Sequence, residues 1–258
     1  MYAFELHKAD SVANAAALLA QTGGKALAGG QSLVAAMKMR LAVPGALVDL
    51  SGVPELKGIR KEGDAIVIGA MTRHAEVAAS DVVRQAIPAL AALADGIGDR
   101  QVRNMGTLGG ALANNDPAAV LGLGAMVNTN KRKIAADEFF KGMYETALAD
   151  GELITSVSFP IPKKAAYVKF PQPASRFALV GVFVAQTAGG VRVAVTGAAP
   201  SVHRSRAMEE ALTKSFTPDA AKAVKINANG LNADLHGSPA YRAHLVSVLA
   251  ARAVTAAE

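Results

Sequence analysis

Two short segments of the chain combine glycine with small hydroxyl or amide side chains, the residue types that bind phosphate. The first is 28–32, Ala-Gly-Gly-Gln-Ser, between a strand candidate at 25–28 and a helix candidate at 32–40. A turn in that position can aim several backbone N–H groups at one point, with the positive end of the helix dipole behind them. Glycine leaves room for an anion against the backbone because it has no Cβ. Ser32 can either cap the helix or bond a phosphate oxygen. The second segment is 106–110, Gly-Thr-Leu-Gly-Gly, followed by Ala111 and by side-chain amides at Asn114 and Asn115. Each turn alone reads equally well as an ordinary tight turn. Two such turns in one chain fit a ligand with two phosphates. Neither matches G-x-G-x-x-G or G-x-x-x-x-G-K-[ST], which argues against a Rossmann NAD site and against an NTPase.

Other chemistries find little support. The 258 residues include no cysteine, which excludes disulfides, thiolate zinc sites and cysteine-held iron–sulfur clusters within the chain. None of the five histidines, His7, His74, His203, His236 and His244, stands at metal-ligand spacing with carboxylates, so surface or capping roles are expected of them. Ser32 lacks a G-x-S-x-G context, and Asp49 and Glu55 near a strand end make no acid–base pair. Met37 is expected in the core, with Met39 on the opposite side of its helix. The net charge of +6 is scattered except for Lys131, Arg132 and Lys133, and aromatics are only 5%. Nucleic acid is therefore not expected as a partner, whereas a small phosphate-bearing ligand is. The first ten residues alternate polar and apolar without a signal-peptide pattern, and no apolar stretch is long enough to span a bilayer. The expectation is a soluble, cytoplasmic protein.

The elements that would position the two turns follow from periodicity. A helix at 11–20 capped by Asp10 or Ser11, strands at 25–28 and 46–50, and the helix at 32–40 make a βαβ-like unit. A strong apolar strand is expected at 65–71 and helical pattern at 82–94. The segment 98–117 shows little helical period. Strands are expected at 152–159, 166–170, 178–186 and 191–196. Helices are expected at 204–213, at 217–226 behind Thr217-Pro218, and at 238–254 behind Ser238-Pro239. The prolines at 171 and 173 mark the best domain boundary.

The segments 28–40 (AGGQSLVAAMKMR) and 103–117 (RNMGTLGGALANNDP) resemble the paired FAD signatures of the flavoprotein subunit of molybdenum hydroxylases, the xanthine dehydrogenase family. The nearest type is the medium subunit of aerobic carbon monoxide dehydrogenase. Weaker likenesses run through 44–56, 68–72, 167–176, 197–212 and 237–252, so the resemblance spans nearly the whole chain. It implies an α+β fold, with a two-subdomain FAD-binding domain of vanillyl-alcohol-oxidase type at 1–172 (subdomains 1–56 and 57–172). A C-terminal domain at 173–258 would hold a three-stranded sheet and helices.

The resemblance also implies site residues and partners. Ala28, Gly29, Gly30, Gln31 and Ser32, with Thr107, Leu108, Gly109, Gly110 and Ala111, would cradle the pyrophosphate of non-covalently bound FAD. Ala26, Leu27 and Leu33 would line the same cleft, Ile154 would be an apolar flavin contact, and Lys169 would lie near the flavin. Asn114 belongs to the second motif. Members of the family often carry an acidic residue where this chain has Val120, so the adenosine side would fall to Asp116. Some carry Gly-Asp-aromatic where this chain has Arg176 and Phe177. The implied function is electron transfer in a dimer of heterotrimers. A large subunit with a molybdenum–pterin cofactor would oxidise substrate, and a small subunit with two [2Fe–2S] clusters would relay electrons to FAD. The absence of cysteine suits that division. A stand-alone FAD oxidase and a non-redox nucleotide-binding protein are the alternatives.

Overall fold

The computed structural model describes residues 1–114 and 118–257. The chain builds three units in order. The first comprises β1 (Glu5–Lys8), α1 (Val12–Thr22), β2 (Lys25–Leu27), α2 (Leu33–Lys38) and β3 (Ala46–Asp49). Its sheet is parallel with order β1-β3-β2. Ser11, not Asp10, caps α1 by accepting from Asn14 N–H. Ala15 and Leu19 of that helix pack on Val48 in a small core with Val53, Leu56 and Met71.

The second unit holds the second glycine turn. In chain order its elements are β4 (Ile59–Glu62), β5 (Ala65–Gly69), α3 (His74–Ala79), α4 (Asp81–Ala86), α5 (Pro88–Asp95), α6 (Arg100–Met105), α7 (Leu108–Ala113) and α8 (Ala118–Leu123). Then come β6 (Met126–Thr129), β7 (Lys133–Ala135), α9 (Ala136–Phe139), β8 (Phe140–Gly142), β9 (Glu145–Thr146) and β10 (Ile154–Pro160). The main sheet is β4-β5-β10-β6-β7. One face buries Ile66, Ile68, Val127, Val157 and Phe159 under the helices. The other carries Asn128, whose amide donates to Ser156 and Ser158 across the strands. This two-faced arrangement is the period-2 alternation of a half-buried sheet.

The segment expected to lack helical period in fact contains α6 and α7. Each has six residues, too few for a periodic stripe, and each starts at a side-chain cap, Asp99 for α6 and Thr107 for α7.

The third unit comprises β11 (Lys164–Pro171), β12 (Ala178–Thr187), β13 (Gly190–Thr196), β14 (His203–Arg204), α10 (Arg206–Lys214), α11 (Pro218–Ala223) and α12 (Pro239–Ala256). The expected division at 172 falls after β11, yet β11 pairs with β12 along its length, so this sheet already begins at Lys164. The three long strands are joined at the edge by the two-residue β14. Thr217 and Ser238 cap α11 and α12 with proline at the first turn, as their sequence signature implies. The strand β12 is buried on both faces. Val180, Val182 and Val184 meet the C-terminal helices, and Phe183 and Ala185 enter the core of the second unit. Gly122 of α8 permits that contact, since a Cβ there would stand 2.6 Å from Phe183 Cδ1. Arg192 ties the two units at the surface. Its guanidinium donates to Leu121 O at 2.8 Å and to Asp137 at 2.8 Å.

Candidate cofactor site

The two glycine turns meet. A Cβ on Gly29 would overlap the carbonyl oxygen of Met105 and stand 2.8 Å from Gly106 Cα. A Cβ on Gly110 would lie 3.1 Å from Thr107 Oγ1 and 3.7 Å from Ala28 Cβ. Segments far apart in sequence are thus in backbone contact, and glycine at 29 is required by that contact before any ligand is considered. Gly30 has φ +70°, the left-handed region open to glycine at little cost.

The turns differ in what their donors are doing. At the first, no described residue supplies an acceptor to the N–H groups of Gly29, Gly30, Gln31, Ser32 or Leu33. The helix's own bonding starts with Val34 N–H donating to Gly30 O at 3.0 Å. Ser32 makes no capping hydrogen bond, which removes one of its two expected roles and leaves its exposed hydroxyl at the same place. Five successive amides and one hydroxyl of a glycine turn are therefore without a partner among the described residues, and such free donors can receive a phosphate. Ala26, Leu27, Ala28 and Leu33 are half-buried around it.

At the second turn the N–H donors of Leu108, Gly109 and Gly110 are already engaged within the protein. Leu108 N–H donates to Thr72 O at 3.0 Å, Gly109 N–H to Ala70 O at 2.8 Å, and Gly110 N–H to Thr107 Oγ1 at 3.3 Å. Gly109 packs so tightly on Ala70 that a Cβ would sit 2.8 Å from the Ala70 Cβ. The Asn114 side chain donates to Gly110 O at 2.8 Å, closing the helix on itself. These bonds fasten α7 to the 70–74 loop after β5 and fix the surface on which the first turn rests. Thr107 is buried, and among the described residues its hydroxyl proton has no acceptor.

Periodicity and motif reading missed His74. Expected at the surface or in a cap, it is 6% exposed. Its backbone N–H donates to Gly106 O at 3.0 Å, and its ring lies against Gly106, where a Cβ would approach Cδ2 at 3.0 Å. Burial lowers its pKa from 6.5 to about 4, so the ring is neutral at pH 7. The signal was position: His74 directly follows the apolar strand 65–71 and its turn, where a side chain faces inward.

The remaining expected residues are arranged around the turns. Ile154 is buried at the start of β10, and the next residue, Thr155, accepts from Ala70 N–H at 3.0 Å, one contact from Gly109. Lys169 donates from Nζ to Gly96 O at 2.5 Å and to Arg176 O at 2.7 Å, so it bridges β11, the α5–α6 turn and the 172–177 loop. Arg176 holds φ +60°, and Phe177 is 55% exposed beside it. Val120 is fully buried in the core of the second unit and points no group outward. Asp116 lies outside the described residues.

Residues 2–162 match the family described as the FAD binding domain in molybdopterin dehydrogenase. The chain belongs to that family. It is an oxidoreductase component whose cofactor is FAD, and the open amide turn fits the pyrophosphate of that cofactor. The likeness extends well past the matched segment. The carbon monoxide dehydrogenase medium chain of Hydrogenophaga pseudoflava is 36% identical across 98% of this chain and 96% of its own. The nicotine 6-hydroxylase medium subunit of Paenarthrobacter nicotinovorans is 37% identical across 90% of this chain and 89% of its own. Among solved structures, carbon monoxide dehydrogenase from Hydrogenophaga pseudoflava superposes with a TM-score of 0.89 at 36% identity, covering 99% of this chain and 97% of the other. Quinoline 2-oxidoreductase from Pseudomonas putida 86 gives 0.88 at 28% identity, covering 99% and 96%.

Proposed function

We propose that this chain is the electron-transfer subunit of a heterotrimeric molybdenum hydroxylase. It takes electrons from [2Fe–2S] clusters in a small subunit and passes them to an external acceptor. Substrate is oxidised elsewhere, in a large subunit carrying the molybdenum–pterin cofactor. The observation that carries the reading is the run of amides from Gly29 to Leu33 that have no partner among the described residues, with Gly29 seated on the backbone of Met105 and Gly106. The full-length likeness to medium subunits of such complexes supports it. Two such heterotrimers would pair into a dimer, and the compartment would be the cytoplasm. No described helix is long and apolar enough to cross a membrane.

In this reading the first turn binds and the second shapes. The N–H groups of Gly29 to Leu33 and the Ser32 hydroxyl hold the pyrophosphate, while Ala26, Leu27 and Ala28 wall the cleft. Thr107 to Ala111, with Asn114, hold the platform beneath them, and the Thr107 hydroxyl proton is the donor that side adds. Ile154 supplies apolar surface for the ring. Lys169 positions the 172–177 loop through two carbonyls, and with it Phe177. Asp116 is assigned to the adenosine side. FAD, when bound, supplies the relay between one-electron and two-electron partners, and the protein supplies its placement and electrostatics. The three units divide at about 1–56, 57–163 and 164–258, with β11 counted in the last.

Holding FAD without a covalent bond has a direct test. Acid denaturation of the yellow protein should release free FAD, and flavin that stays with the polypeptide would overturn the point. The relay role is tested by anaerobic mixing with candidate substrates. The flavin should be reduced rapidly in the full assembly and not in the lone chain. Rapid reduction in the lone chain would mean that it carries its own substrate site.

A further inference from the structure

The loop that follows α2 is the most exposed run of apolar side chains in the first unit. Met39, Leu41 and Val43 are 71%, 75% and 63% exposed and alternate with Lys38 and Arg40. The backbone holds them out. Arg40 N–H donates to Met37 O at 3.0 Å and Leu41 N–H to Ala36 O at 2.8 Å, the pair of bonds that closes a helix in a Schellman motif. The left-handed residue of that motif is usually glycine, and here it is Arg40 with φ 62°. The residue after it ordinarily folds its apolar side chain back on the helix. Leu41 does not.

The charge of the loop is equally unspent. Among the described residues no carboxylate forms an ion pair with Lys38 or Arg40. The Arg40 guanidinium instead lies 5.2 Å from the centroid of the Tyr2 ring, itself 53% exposed. A strained backbone, three exposed apolar side chains and two unpaired cations on one short loop form a surface that an apolar, carboxylate-bearing protein face would complete. A second copy of this chain is a poor occupant, because an isologous contact would bring the same cations together. Loop and cofactor turn are the two ends of α2, whose six residues span about 9 Å at ~1.5 Å each.

We propose that Tyr2 and loop 38–43 are the docking surface for an acidic-faced subunit that exchanges electrons with the flavin. The inference rests on the reading of the chain as a subunit of a larger assembly, and names the face through which one neighbour is held. A partner seated there lies beside the turn that binds FAD. Its apolar contacts come from Met39, Leu41 and Val43, and Arg40 sets its orientation and the salt dependence of docking.

The test uses the assembly isolated from its source cells through a tag on this chain, with molybdenum and iron measured per FAD. Leu41→Asp and Arg40→Glu should each lower bound iron at least tenfold. The lone variant chains should keep wild-type FAD content and melting temperature, and the exposed-site control Lys225→Glu should change nothing. High salt should weaken the wild-type assembly and have less left to weaken in Arg40→Glu. Iron retained at the wild-type ratio in Leu41→Asp and Arg40→Glu would overturn the docking surface while leaving the subunit reading intact. A wild-type chain that brings neither iron nor molybdenum would remove the subunit reading, and this surface with it. A lone chain that sediments as a dimer, made monomeric by Leu41→Asp, would make self-association the occupant and refute the proposal.

Discussion

Replacing Gly29 with alanine adds one methyl group, yet the structure predicts a large effect. The new Cβ would overlap the Met105 carbonyl oxygen and stand 2.8 Å from Gly106 Cα. That second distance alone is about 0.7 Å inside the ~3.5 Å at which carbon atoms normally pack. Both obstacles are backbone, and Gly106 is held by His74 N–H, so no side chain can swing aside. The turns must part, at a cost of about 1–3 kcal/mol for overpacking of this kind. FAD binding requires them together, so that cost reappears as an affinity loss of roughly 10- to 100-fold at ~1.4 kcal/mol per decade. Titrating the apoprotein with FAD and following the flavin fluorescence would measure it. Gly110→Ala is the control, because its Cβ meets only the Thr107 hydroxyl at 3.1 Å and Ala28 Cβ at 3.7 Å. Gly30→Ala separates a second effect. Its left-handed φ penalises alanine by ~1 kcal/mol with or without ligand, so the melting temperature should fall more than the affinity. A Gly29→Ala protein with wild-type affinity would refute the claim that the two turns form one site.

Four further outcomes follow from the same geometry. Ser32→Ala removes a hydroxyl that has no partner among the described residues, so stability should hold while FAD affinity drops by one hydrogen bond to a charged group, about 1.5–3 kcal/mol; unchanged affinity would remove Ser32 from the site. The buried His74 ring titrates near 4 in the fold and near 6.5 in the unfolded chain, so its contribution is whole above pH 6.5 and is lost as pH falls toward 4. That loss amounts to about 3 kcal/mol, and His74→Gln should flatten this part of the stability profile in chemical denaturation; an unchanged profile would refute the assignment. Gly122→Ala should destabilise the fold by about 1–3 kcal/mol through its clash with Phe183, read as a lower denaturation midpoint. Lys169→Met should leave the fold near its wild-type melting temperature but expose the 172–177 loop to protease, since two carbonyl contacts are lost.

Much of this was readable from the residues, for definable reasons. The strands of the third unit are long apolar runs bounded by proline and glycine. The helices behind Thr217-Pro218 and Ser238-Pro239 announce themselves through local capping chemistry. The first glycine turn was legible for the same local reason, lying between a strand and a helix. What escaped was non-local or short. The helices on either side of Gly106 are too brief to show a period. The requirement for glycine at 29 comes from the backbone of Met105, which no local pattern contains. That the amides of Leu108 and Gly109 are engaged could not be read from the second turn, because their acceptors, Thr72 and Ala70, lie upstream outside the motif. His74 looked isolated because its neighbour is a backbone surface, not another titratable group. The proline boundary was read from Pro171, which ends β11, whereas the pairing of β11 with β12 across it is non-local and leaves no mark in the pattern.

That sheet bears on how such a chain can be divided. The segment that matches the FAD-binding family ends at residue 162, but the apolar core under the second sheet does not. Phe183, Ala185, Ala194 and Val202, all beyond that point, are members of it. A fragment ending at 162 would lay bare the faces of α8 and its neighbours that now meet Phe183, and would lose the Arg192 tie to Leu121 and Asp137. Residues 2–162 therefore share one packed core with the strands that follow them. A fragment meant to stay folded must carry β12 and β13 with it, because one hydrophobic interior straddles the end of the matched segment.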